Sequence, residues 1–280
     1  VAVIGAGTLG RRIALMFATR GGLVRISDPV AEQGSAAVEF VSRQIGALAG
    51  SRSDFTPGRA EYARNLTEAV RDAWLVIEAV PEHLELKKQI FRELVTVAPT
   101  DTILASNTSS YATRLIAEGL PNTDRILNTH FYMPPDQIAV DVMSCGTTSQ
   151  EVIAFVLAAY PQYGLRPFLV RQESTGFIFN RIWAAIKRES LAVVAEGVSV
   201  PEDIDEMFML TVGTRSGPFR AMDHVGLDVV LDIEEHYAAE NPELPAGPRR
   251  LLRKYIAAGK LGAKTGEGFY ADYLRPGGSS

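Results

Sequence analysis

The opening 28 residues constrain the fold more than any other stretch. Val1-Ala2-Val3-Ile4 is a short apolar run, as a strand buried on both faces requires. Gly5-Ala6-Gly7-Thr8-Leu9-Gly10 follows at once. Arg11 to Arg20 then has helical spacing, with Ile13, Ala14, Phe17 and Ala18 on one side, and Gly21-Gly22 ends it. Leu23-Val24-Arg25-Ile26-Ser27 is a second strand leading to Asp28. Strand, glycine turn, helix, strand and acid in this order predict the first unit of a doubly wound parallel sheet. Gly5 permits the tight turn, Gly7 lets the backbone approach a pyrophosphate, and Gly10 lets helix and strand pack closely. The helix N-terminus offers free N–H groups and the positive end of its dipole to phosphates. Asp28 lies 18 positions after Gly10 (28 minus 10), near the spacing of an acid that accepts from a ribose 2′-hydroxyl. A carboxylate there repels a 2′-phosphate, so the expected cofactor is NAD rather than NADP. Arg11 and Arg12 occupy a first turn where cations are disfavoured; they read as a solvated face, with a place near phosphate as the alternative.

Composition narrows the class. With 280 residues, 46% hydrophobic and 22% charged, the chain can bury the core of one large domain or two smaller ones. A net charge of −5 gives no electrostatic footprint for nucleic acid. No apolar run approaches the roughly 18 residues of a membrane span. The single cysteine, Cys145, allows no internal disulfide and fits a reducing compartment. Cytoplasmic placement is expected, with mitochondrial or peroxisomal placement left open, because Val1 already begins the first strand.

The middle of the chain continues the alternation. Ala31 to Ala49 has helical spacing. Gly50 to Gly58 reads as a turn, and Ala60 to Arg71 as a short strand and the start of the next helix; the pair of helices is longer than a plain crossover needs and suits an arm over a ligand. Arg43, Arg52, Arg59 and Arg64 are candidates there for a phosphorylated ligand, with ordinary surface charge the simpler reading. Trp74 to Val80 is a strand carrying Glu78, and Pro81-Glu82 opens a helix. Thr102 to Ala105 is a strand followed by the polar loop Ser106-Asn107-Thr108-Ser109-Ser110. Arg125 to Thr129 is a strand delivering His130 at its end, and Ile138 to Met143 is the next. Asp141 interrupts that strand's apolar run, and a buried carboxylate needs a partner. A histidine after a strand, in the crevice layer, with an acid on the neighbouring strand, reads as catalytic.

Taken together these stretches resemble the 3-hydroxyacyl-CoA dehydrogenase family. The resemblance rests on Gly5–Gly10, Glu78-Ala79-Val80-Pro81-Glu82, Ser106–Ser110, His130-Phe131-Tyr132 and Ser174 to Arg181. It continues through Gly217-Pro218-Phe219, Asp223 to Asp228 and Lys264 to Tyr270. It implies an α/β, Rossmann-type NAD-binding domain followed by an all-helical domain that dimerises. It also implies a catalytic histidine at His130, assisted by Ser109 and Asn180, with Glu82 and Lys87 near the nicotinamide end of the cofactor. Two departures stand out. Met133-Pro134-Pro135 replaces the Asn-Pro pair that follows the family's His-Phe-Phe stretch. The family glutamate falls on Val142 by strict spacing and on Asp141 with one deletion. Asp141 is the expected partner, because only an acid can orient the imidazole.

Ser149 to Tyr160 is a helix and Arg166 to Val170 a last strand. The expected domains are 1–172, NAD-binding; 173–270, helical; and 271–280, a disordered tail. Phe177 to Glu196 is the central helix of the second domain. Ser199-Val200-Pro201-Glu202 reads as a capping box, and further helices are expected near 228–239 and 249–258. His83, His224 and His236 lack partners at ligand spacing, so no metal site is expected. The expected function is oxidation of a 3-hydroxyacyl-CoA. A free hydroxy acid or sugar acid is the alternative substrate, and a non-catalytic NAD-binding protein is the alternative class.

Overall fold

The computed structural model describes residues 1–50 and 52–273. They form two compact units, dividing after Ile178 rather than after residue 172. The first unit is an eight-stranded sheet: β1 (Ala2–Ile4), β2 (Leu23–Ser27), β3 (Arg59–Ala63), β4 (Leu75–Glu78), β5 (Ile103–Ser106), β6 (Ile126–Met133), β7 (Gln137–Ser144) and β8 (Arg166–Val170). Its helices are α1 (Thr8–Phe17), α2 (Ala31–Gly50), α3 (Leu66–Val70), α4 (Leu84–Val97), α5 (Thr113–Ala117) and α6 (Gln150–Ala159). Strand order is β3-β2-β1-β4-β5-β6-β7-β8. All neighbours are parallel except β6 and β7, whose short connection forces an antiparallel pair. The chain runs outward from β1 in both directions, so β1 and β4 flank the switch point where such sheets bind ligands.

Alternation along the strands divides the core into two faces. Val3, Ile26, Ile77, Leu127 and Phe131 pack under α1, α2 and α6. Ala2, Ile4, Val76, Leu104 and Ile126 pack under α3, α4 and α5 with Phe91, Leu94 and Ile116. Phe17 of α1 binds the first face together through edge contacts with Trp74, Phe131 and Tyr160. Parity then puts Asn128 and His130 of β6 on the second face, opposite to Leu127 and Phe131.

The expected helical arm and the expected end of β6 are corrected here, while Arg43, Arg52 and Arg59 keep their simpler reading. No helix pair forms an arm between β2 and β3: α2 is one crossover helix, burying Ala37, Val41 and Ile45 against the sheet. Gly34 lets α2 approach, since a side chain there would overlap the Tyr62 ring. Arg43, Arg52 and Arg59 pair locally with Glu39, Asp54 and Glu61, as ordinary surface charges do. His130 is not at a strand end. β6 runs on to Met133, because β7 pairs with it past the histidine, and Arg125 falls outside the strand.

The second unit holds α7 (Phe179–Ala195), α8 (Pro201–Val212), α9 (Pro218–Val225), α10 (Leu227–Glu240) and α11 (Gly247–Ala257) around Leu191, Phe219, Met222, Leu227, Val230 and Leu252. The capping box at Ser199 does not form. The α8 cap is Val200 without a side-chain bond, and Pro201 fixes the first helical position. α9 was not expected. Its first turn is capped from a distance, with the buried Asp205 carboxylate accepting from Phe219 N and Arg220 N, both at 2.8 Å. Of the expected tail, Asp272 pairs with Arg220, and Tyr273 donates to Asp223. Residues 274–280 of it lie outside the described residues.

Candidate active site

The loops after β1, β2, β4 and β5 share the C-terminal edge of the sheet. At the first, Gly5 has φ +104°, and a Cβ on it would press on the Ala79 backbone. A Cβ on Gly10 would overlap the Gly5 carbonyl oxygen, so this glycine lets α1 close on the turn. A Cβ on Gly7 would meet nothing. The space beside Gly7 is therefore open, in front of a helix whose first N–H groups have no intrahelical partners and whose first turn holds no acid. Asp28, past β2, accepts from Ala6 N at 2.8 Å and from Val30 N at 2.9 Å, tying the acid to the glycine turn. These residues fit a dinucleotide: a cleared backbone for its phosphates and a carboxylate with remaining lone pairs for a ribose hydroxyl.

Arg12 turns away from this loop, donating to Pro134 O at 3.0 Å and pairing with Asp136 at 3.2 Å. Arg11 lies over the Phe40 ring. Neither is the fully solvated residue expected.

Glu78, Lys87, Glu82 and Ser106 form one buried network. Lys87 is 1% exposed, and Glu78 is fully buried. Lys87 Nζ lies 2.8 Å from Glu78 Oε1, 3.2 Å from Glu82 Oε2 and 3.3 Å from Val80 O, which uses all three of its donors. Ser106 donates to Glu78 Oε2 at 2.7 Å. α4 starts at Leu84, so Glu82 stays in the preceding loop. There its Oε1 accepts from Thr108 Oγ1 and from the N–H groups of Ser109 and Ser110, each 3.0 Å away. Glu82 thus shapes the loop that exposes Ser109.

That loop is fixed to β6 from both sides. Asn107 Oδ1 accepts from Phe131 N at 2.8 Å, and Asn128 Nδ2 donates to Thr108 O at 3.0 Å. His130 lies between these anchors, 5% exposed. Asp141 stands directly opposite it in the β6–β7 ladder, with Nδ1 and Oδ2 3.2 Å apart and Asp141 3% exposed. Directly paired residues share a face at short range, so an aspartate spans the gap. Val142 points to the other face, into the core with Val140. Tyr132 also donates to Asp141 Oδ2, at 2.7 Å, and Phe177 packs on the imidazole with ring centroids 5.2 Å apart. Phe177 holds a left-handed φ of 53°, so α7 starts at Phe179 and Asn180 is its second residue, in the second unit.

Sequence reasoning singled out His130, Asp141, Ser109, Glu82 and Lys87; His130 and Asp141 lie on β6 and β7, Glu82 and Ser109 in the loops after β4 and β5, and Lys87 in α4. It missed the parts played by Glu78, Asn107, Asn128, Tyr132 and Phe177. A charged residue ending a buried strand was the available signal for Glu78. Cys145 is buried, its thiol beside Thr123 O and Thr147 Oγ1, with no base against it. Among the described residues there is no cluster suited to a metal ion, and no helix is long and apolar enough to cross a membrane.

A nucleotide-binding edge, a histidine–carboxylate pair beside it and a separate helical unit together define a two-domain, dinucleotide-dependent dehydrogenase. The chain belongs to the 3-hydroxyacyl-CoA dehydrogenase family: residues 1–174 match its NAD-binding domain and residues 176–272 its C-terminal domain. It is 35% identical over 280 residues to a probable 3-hydroxybutyryl-CoA dehydrogenase of Bacillus subtilis, covering 98% of this chain and 96% of that one. The crystal structure of (S)-3-hydroxybutyryl-CoA dehydrogenase from Ralstonia eutropha matches with TM-score 0.84 and 30% identity over 98% of both chains. A diketoreductase structure, described as acting on dicarbonyl compounds, matches with TM-score 0.80 and 30% identity over 96% of this chain and 97% of that one. The protein is accordingly an NAD-dependent oxidoreductase.

Proposed function

We propose that this enzyme oxidises the 3-hydroxyl of a 3-hydroxyacyl-CoA to the 3-oxo product, with His130 as general base. The observation that carries the reading is the buried His130–Asp141 pair, 3.2 Å between Nδ1 and Oδ2. A carboxylate facing Nδ1 keeps the proton on that nitrogen, which leaves the Nε2 lone pair to take the hydroxyl proton. The imidazolium that results is stabilised by the same carboxylate. Ser109 and Asn180 are assigned to hydrogen-bond the oxygen that becomes a carbonyl. NAD, when bound, supplies the hydride acceptor. Gly5, Gly7, Gly10 and Asp28 would hold it, with Glu82 near its nicotinamide end. Lys87 has its donors committed to Glu78, Glu82 and Val80, so its contribution to the cofactor site runs through Glu82.

The test is NADH formation from a 3-hydroxyacyl-CoA by the purified protein, followed by its absorbance. His130→Ala should abolish it, and near wild-type turnover in that variant would sink the assignment. The similarity to a diketoreductase favours a second reading, a substrate without the CoA thioester. Met133, 38% exposed beside Pro134 and Pro135, is the position where such a difference in substrate choice is expected. Comparing kcat/KM on thioesters and free hydroxy acids separates the two. A non-catalytic role is disfavoured by an intact acid–imidazole pair. The reading includes a homodimer through α8, whose Met207, Leu210 and Val212 are exposed; sedimentation of the purified protein tests that part.

A further inference from the structure

We propose that Tyr132 is a positioning residue of this active site: its phenol fixes the Asp141 carboxylate that orients His130. The inference rests on His130 acting as the base. His130 and Tyr132 are two apart on β6 and so share a face. Asp141 lies directly across from His130, and its Oδ2 receives both neighbours: His130 Nδ1 at 3.2 Å and the Tyr132 hydroxyl at 2.7 Å. The phenol makes the shorter of the two contacts, and a hydrogen bond to a carboxylate is the stronger kind.

The ladder explains how a residue two positions away reaches the same oxygen. Pairing shifts between Phe131 and Met133: Phe131 faces Val140 and Met133 faces Gln137, leaving Ile138 and Ala139 of β7 opposite Tyr132 alone. Such a bulge raises the local twist and re-aims a side chain. Here it goes with a Tyr132 ring lying 4.6 Å from the imidazole, at 63° to it. The histidine is therefore held between two rings, Tyr132 and Phe177, while its carboxylate is held by one of them. An aspartate bonded only to the imidazole would be free to rotate about its own bonds. Bonded to both, it has one orientation.

Tyr132→Phe removes a single oxygen and keeps the ring packing, so folding is retained. We expect kcat to fall roughly 10-fold, the scale of one hydrogen bond to a charged group, with KM for NAD and for the acyl substrate within about twofold. In an Asp141→Ala background the same change should alter kcat less than about twofold, because the phenol acts only through the carboxylate. Asp141→Asn serves as a second background in which the side-chain volume is kept. Equal losses in the wild-type and Asp141-substituted backgrounds would overturn the proposal, as would an effect confined to KM. If His130→Gln is inactive while Tyr132→Phe matches wild type, the positioning role fails and the general base stands. If His130→Gln turns over normally, the base assignment itself fails.

Discussion

Lys87 Nζ lies 2.8 Å from Glu78 Oε1, with both side chains almost wholly withdrawn from solvent. Burial cuts both off from bulk solvent, so each depends on the other as its partner. Removing one member of a buried pair leaves an uncompensated ion and costs about 3–5 kcal/mol. Lys87→Met should therefore destabilise the protein by that amount in urea unfolding. Glu78→Gln combined with Lys87→Met should recover most of the loss, because no fully buried charge is left alone; Glu82 is partly exposed and keeps its donors in the Thr108–Ser110 loop. Equal destabilisation of the single and double variants would contradict the pairing.

Two glycines separate folding from cofactor binding. Gly10 faces the Gly5 carbonyl at contact range, and Gly7 faces open space. Gly10→Ala should cost about 3 kcal/mol in stability through overpacking. Gly7→Ala should unfold like wild type and lose roughly 10-fold or more in NAD affinity, since the new methyl occupies room needed by the phosphates. Thermal unfolding and NAD titration of the two variants measure both effects. A Gly7→Ala protein with unchanged NAD affinity would remove the glycine turn from the cofactor site.

Asp141 holds the tautomer of His130 in the proposed chemistry. Asn at this position keeps the size, but its amide can turn a donor towards Nδ1 and reverse which nitrogen carries the proton. Asp141→Asn should lower kcat by roughly 10²–10⁴-fold, the range that general acid–base catalysis contributes. KM should change little. Steady-state kinetics decide it, and a loss confined to KM would move Asp141 from catalysis to binding.

The parts legible in the sequence are those that obey local rules. The glycine turn, the alternating strands and helices and the acid after β2 each follow from periodicity and backbone sterics within some 30 residues. What was missed depends on partners distant in sequence. Asn107 and Phe131 are bonded across 24 positions, and Asp205 caps α9 from 14 positions upstream. Neither pair obeys a helix, strand or turn spacing, so no local rule signals that its members meet. The sequence reads as a strand from Arg125 to Thr129 with His130 just past its end. β7 overrides that by pairing with it. The capping box failed for a related reason: Pro201 already starts α8, so Ser199 falls one position too early to cap it.

Lys187 of α7 is 6% exposed, and burial lowers its pKa below the ordinary 10.5. Glu234 opposes that shift and Arg188 adds to it, so these two are the charges that set its environment. Glu234 is already bonded to Arg188, at 2.8 Å and 3.3 Å. Below the folded-state value the buried ammonium costs stability in full. Between that value and 10.5 the unfolded chain binds more protons than the folded one, so stability rises with pH across this window. Lys187→Met removes the cost without orphaning Glu234, which keeps Arg188. The variant should be more stable than wild type at pH 7 by on the order of 1 kcal/mol, and the difference should close as pH approaches 10.5. Urea unfolding of both proteins across that range checks the sign. A gap that widens with pH, or a variant less stable at neutral pH, would mean that the Lys187 ammonium is stabilised by Glu234 more than burial penalises it.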